Sequence, residues 1–317
     1  MLGALGSVFS IILAIATGFA LAKRGWFDAG SGALVARLVV GIALPAFMVA
    51  NLMGSYDRDR LYSLLPGLPI PFIVMLATYA LGKMLAALFR LSPGRRGTFC
   101  SMFALSNTIF VGLPVNLVLF GEGSLPYVLL YYIANTSLFW TIGVYEIASD
   151  GARLVGGSRP RLISSASLKR ILSPPLTAFL ASIVLIIFGL KLPAFALDFC
   201  KILGSMTTPL SMLFIGIVIS RVEWKKVKLE RGLLLVFAGR FLVAPGLLAL
   251  IARPADLPLL MKEVFFVQAA MPAMTQTPIL ASAYGADAEY AGLGTALSTV
   301  LSLATIPLCM SVVGRVF

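Results

Sequence analysis

The chain has 317 residues, of which 59% are hydrophobic and 12% charged; its mean hydropathy is +0.98 and its formal net charge +12. That composition excludes a soluble domain and identifies a polytopic membrane protein. With no histidine in the chain, His-based zinc sites, Ser–His–Asp or Cys–His catalysis and His-ligated haem are ruled out, and neither a metal nor a cofactor is expected.

Ten apolar stretches follow one another, at roughly 2–22, 32–54, 61–89, 97–120, 125–148, 174–190, 195–219, 231–252, 259–284 and 289–314. The first lacks a basic leader and a small-residue cleavage site, and is expected to be a retained helix. The second carries Asn51, a candidate to face a solute. In the third, Lys83 has no acidic companion and lies near one end, so snorkelling to the interface is expected.

The fourth stretch contains Ala104–Gly121, ALSNTIFVGLPVNLVLFG. It is apolar enough for a bilayer, yet Asn107, Thr108, Gly112, Pro114 and Asn116 crowd its middle. Pro114 has no N–H and crowds the carbonyl of Phe110, so the helix is expected to break there. Inside hydrocarbon, loose backbone survives only when buried in protein or beside a wet cavity. A proline kink kept for packing is the plainer alternative. The fifth stretch adds Asn135 and Ser137 as further site candidates.

The joint 149–173 is polar, rich in Gly and Ser, and basic. In the eighth stretch Arg240 sits about ten residues from either end, roughly 15 Å along a helix and far for snorkelling. It either attracts an anion or pairs inside the protein. The ninth stretch includes Gln268–Gly285, QAAMPAMTQTPILASAYG, with Pro272, Thr275, Gln276, Thr277 and Pro278. Two prolines six residues apart make one continuous helix improbable. The Thr side chains are candidates to cap freed backbone groups such as the carbonyl of Met274. Ser298 and Thr299 in the tenth stretch sit at positions related to the fifth.

Lys and Arg set the orientation. Alternate joints hold sixteen of them against seven on the other side, and Lys83 and Arg240 complete the 25. The richer side, which includes the linker 149–173, is expected to be cytoplasmic, with both termini outside. The positive charge is therefore a topology signal and a contact with anionic lipid, not a nucleic-acid surface. An offset of 164 relates Gly25 to Gly189, Pro45 to Pro209, Pro114 to Pro278 and Gly121 to Gly285. Five spans per half is an odd number, so the second half would insert upside down. The expected fold is all-α integral membrane: ten helices in two inverted five-helix repeats, 1–148 and 174–317, with broken, crossing helices 4 and 9.

Ser106–Pro114 (SNTIFVGLP), then Leu119–Gly121 (LFG), resemble the fourth span of the auxin efflux carrier family of permeases. Met271-Pro272, Ala283–Asp287, Leu297–Thr299 and Ile306-Pro307 are similar to that family's ninth and tenth spans. The resemblance implies a scaffold of spans 1, 2, 6 and 7, often a homodimer through spans 2 and 7, and a moving domain of spans 3–5 and 8–10. It further implies a small organic anion, such as auxin or another carboxylate, held where spans 4 and 9 cross. Carried over by position, Asn107, Thr108, Pro114, Pro272 and Pro278 form that crossing. The expected activity is efflux-type transport, not catalysis, from a bacterial inner membrane. A membrane sensor that binds a similar anion without moving it is the alternative.

Overall fold

The computed structural model describes residues 2–28, 30–55, 57–155, 174–221 and 229–317. Among the described residues the chain is helical and has no strand; one isolated backbone bridge joins Ser106 to Ala273. Each apolar stretch is helix. In order they are α1 (Leu2–Lys23), α2 (Ser31–Gly54), α3 (Leu65–Leu88), α4 (Arg96–Ala104), α5 (Thr108–Phe120) and α6 (Glu122–Leu154). There follow α7 (Pro174–Ile187), α8 (Ala194–Ser220), α9 (Arg231–Ala252), α10 (Leu259–Ala269), α11 (Gln276–Ala283) and α12 (Ala288–Val316). Six of them, α2, α3, α6, α8, α9 and α12, are long and apolar enough to cross a membrane.

The fourth and ninth stretches are each two helices. The first breaks at residues 105–107, where Leu105 is extended at φ −106° and ψ 134°. The second breaks at residues 270–275. Pro114 is not at the first break, contrary to the sequence reading. It lies inside α5, at the start of that helix's regular α-helical part Leu113–Phe120. The turn ahead of it, Thr108–Gly112, is widened to i→i+5 bonding, with Gly112 N donating to Asn107 O at 3.0 Å. That wider turn accommodates the ring. Pro278 falls in the first turn of α11, while Pro272 lies in the break itself.

The largest buried apolar cluster is built by α3, α4, α6 and α9–α12. Elsewhere α1 packs on α8 with their backbones almost touching: a methyl added at Gly18 or Gly216 would overlap the opposing main chain. α2 packs on α7 and α8. α6 runs past the expected start of the linker, because Asp150 accepts from Thr98 N at 2.8 Å and fixes the last turns against α4. Residues 156–173 of the linker lie outside the described residues. Lys83 finds an acidic partner after all, in Glu146 of α6. Just ahead of α4, Arg95 binds Asp287 and Glu230 at 2.6 Å each. Its partial burial disfavours the charge, but these two carboxylates outweigh that and hold its pKa above the ordinary arginine value.

Four described glycines have positive φ: Gly25 at 79°, Gly121 at 72°, Gly189 at 67° and Gly285 at 72°. They form two pairs, each separated by the 164 residues read from the sequence.

Candidate functional site

The two breaks meet. Asn107 N donates to Pro272 O at 2.8 Å, and Ser106 pairs with Ala273 as in an antiparallel sheet. Backbone freed from a helix must find partners when buried, and here polar side chains supply most of them. Asn107 Oδ1 accepts from Phe110 N at 3.1 Å and caps the start of α5. Asn135 of α6 uses both ends of its amide on Ser106, accepting from its N–H and donating to its carbonyl at 2.9 Å each. Ser298 of α12 accepts from Ala273 N at 3.1 Å. Gln268, at the end of α10, donates to Thr108 O at 3.3 Å. Gly112 is required at its position: an added methyl would overlap the Gln268 carboxamide. Met274 O is satisfied by the backbone N–H of Thr277, not by a hydroxyl.

Arg240 is fully buried beneath the junction, in the widened turn Gly239–Val243 of α9. Its guanidinium donates to Ala269 O at 2.6 Å, Met271 O at 3.0 Å and Phe103 O at 3.4 Å. Ala269 and Phe103 lie in the last turns of α10 and α4, whose carbonyls have no partner further along the helix. Of the two sequence alternatives, the structure therefore has the internal pairing.

Two cavities adjoin the junction. One, of about 90 Å³, is lined by Asn107, Thr108, Phe110, Tyr132, Thr136, Trp140 and Gln276 among others. Asn107 Nδ2 and Thr136 Oγ1 are buried there without a hydrogen-bond partner among the described residues. The other, of about 1000 Å³, lies between α2 and α8 on one side and α11 and α12 on the other. Thr275, Gln276 and Pro278 line it, and Arg37, Arg221 and Glu289 stand on its wall. Val40, Phe110 and Gln276 belong to both cavities. Phe110 packs on Phe214 of α8 with ring centroids 4.6 Å apart.

The junction thus gathers Asn107, Thr108, Gly112, Pro272, Thr275, Gln276 and Pro278 from the sequence reading. Asn135 and Arg240 support its backbone. Asn116 donates back to Gly112 O at 2.7 Å and, like the buried Asn51, lines neither cavity. Gln268, Thr136 and Phe110 join the junction without having been candidates from the sequence. Thr136 stands between the candidates Asn135 and Ser137, and Gln268 opens the segment Gln268–Gly285. Phe110 carries no sequence signal, since an aromatic residue in an apolar helix is ordinary core.

Apolar helices of this length, with two apolar stretches interrupted and joined at their breaks, define an integral membrane protein. The sequence profile of the family described as membrane transport protein matches residues 4–310, and the chain belongs to that family, the auxin efflux carrier permeases. Two relatives span nearly the whole molecule. Uncharacterized transporter MJ1031 of Methanocaldococcus jannaschii is 26% identical over 311 residues, covering 95% of this chain and 96% of the relative. An uncharacterized transporter of Methanothermobacter thermautotrophicus is 25% identical over 315 residues, covering 97% of each. The protein is an integral membrane transporter, not an enzyme.

Proposed function

We propose that the protein is an efflux-type secondary transporter of small organic anions, auxin-like or other carboxylates, with the solute held at the junction of the two interrupted helices. One observation carries this: the small cavity at that junction is lined by Asn107 and Thr136, whose Nδ2 and Oγ1 are buried with no hydrogen-bond partner among the described residues, beside the first turns of α5 and α11. Uncharged donors and helix N-termini receive a carboxylate without a second buried charge. Val40, Phe110 and Gln276 form the wall shared by the two cavities, and in this reading their movement would pass the solute from the larger to the smaller.

The architecture we infer is ten spans in two inverted repeats, 1–148 and 174–317, joined by a cytoplasmic linker. The paired positive-φ glycines support it. In this reading α1, α2, α7 and α8 form a scaffold, able to dimerise through α2 and α8, and the remaining helices move against it. The larger cavity lies between these two groups and, by the Lys and Arg bias, opens inward, with both termini outside and the plasma membrane as host. No Asp or Glu lies near the middle of any span. An interior-negative potential alone would drive a monovalent anion outward, at about 2.3 kcal/mol per charge per 100 mV.

A thermal-shift screen of the purified protein against organic acids tests the reading. One or more carboxylates should raise the melting temperature, and Asn107→Ala should abolish that rise. No response to any acid, or a rise untouched by Asn107→Ala, would remove the anion from this site.

A further inference from the structure

Two broken helices that meet at one point present four ends. α5 and α11 begin at the junction, and each N-terminal end is equivalent to about half a positive charge even where a neutral oxygen caps it, as Asn107 Oδ1 caps Phe110 N and Met274 O caps Thr277 N. α4 and α10 end there with free carbonyls, each equivalent to about half a negative charge. Left to themselves these four ends cancel, and the junction has no reason to prefer an anion.

Arg240 changes that balance. It is fully buried and takes part in none of the ion pairs formed by described residues. Its hydrogen-bond acceptors are the carbonyls of Phe103 and Ala269, in the last turns of α4 and α10, and of Met271 in the second break. Two half-charges of carbonyl thus stand in for the missing carboxylate. With both negative ends answered by a full positive charge, the positive ends of α5 and α11, capped by neutral oxygens alone, are left unbalanced. They lie at the cavity lined by Asn107 and Thr136, whose Nδ2 and Oγ1 have no hydrogen-bond partner among the described residues.

We propose that Arg240 sets the charge selectivity of the site without touching the solute: it masks the carbonyl ends of both interrupted helices, so that the junction favours a carboxylate over its neutral isostere. Arg240 is then a positioning residue. Its loss should affect the preference between charged and neutral ligands, which a merely structural role would leave alone. This inference rests on the organic-anion reading.

The test measures paired affinities on the purified full-length protein. The probes are benzoate with benzamide and indole-3-acetate with indole-3-acetamide, titrated by thermal shift and by tryptophan fluorescence, since Trp140 lines the small cavity. Wild type should prefer the carboxylates. Arg240→Gln should cut that preference by about tenfold while both probes still bind. Arg240→Lys carries the test where Arg240→Gln does not fold. A buried lysine titrates several units below its ordinary value, so its preference should fall as pH rises from about 5.5 to about 9 while wild type stays flat. An unchanged preference in Arg240→Gln, or a flat profile in Arg240→Lys, overturns the role given to Arg240 and leaves the anion site standing. A wild-type protein that binds no carboxylate overturns the anion reading, and this inference with it.

Discussion

Asn135 separates two accounts of the polar residues near the junction. As a solute ligand, its removal would weaken binding and leave the fold intact. In the structure its amide is already committed to Ser106, with both bonds at 2.9 Å. Asn135→Leu keeps the approximate shape and strands the buried N–H of Ser106, while the Ser106 carbonyl keeps Thr108 N at 3.0 Å. The stranded group costs about 1–3 kcal/mol. At about 2 °C per kcal/mol for a chain of this size, the melting temperature should fall by about 2–6 °C. Asn116→Leu is the comparator. It removes a side-chain bond to Gly112 O but also removes Asn116 Oδ1, which has no partner, so its effect should stay under about 1 kcal/mol. Thermal unfolding of both variants in one detergent, without ligand, is the assay. Equal melting temperatures for Asn135→Leu and wild type would refute the reasoning.

Gly112→Ala should destabilise the protein by about 1–3 kcal/mol, because the methyl meets the Gln268 carboxamide. Combined with Gln268→Ala, it should cost less than the sum of the two changes, and strict additivity in denaturation would break the proposed contact. Gly121→Ala meets no atom within 4 Å, yet φ 72° and ψ −173° suit glycine alone, so strain of about 1–3 kcal/mol should appear as a lower melting temperature. Asn107→Asp keeps an oxygen to cap Phe110 N but replaces the free donor with a negative charge. It should remain folded by size-exclusion chromatography and lose at least about tenfold in carboxylate affinity.

Much of the fold is legible because its signals are local. Length and hydropathy mark each helix, and glycine at positions 25, 121, 189 and 285 betrays the turns where φ is positive. Both interruptions are legible as facts, but only the second, which holds Pro272, as a place. Pro114 advertises a break, yet the widened turn ahead of it accommodates the ring within α5, and the break lies where Asn107 and Asn135 can replace the lost backbone partners. Those partners come from other helices, and no spacing rule reaches across 29 residues from Ser106 to Asn135. The widened turn around Arg240 is silent for the same reason: its carbonyl partners belong to α4, α10 and the second break. The sequence announces a costly charge but not what answers it. Lys83 shows this in miniature, since its carboxylate partner lies on a different helix.

The most direct test of the central claim is counterflow of a labelled carboxylate, chosen from those that stabilise the protein, in proteoliposomes. Wild type should exchange internal for external acid with no imposed pH or sodium gradient, and Asn107→Asp should not. A wild-type protein that binds the acid but never exchanges it, or an Asn107→Asp variant that exchanges at the full rate, would contradict the account.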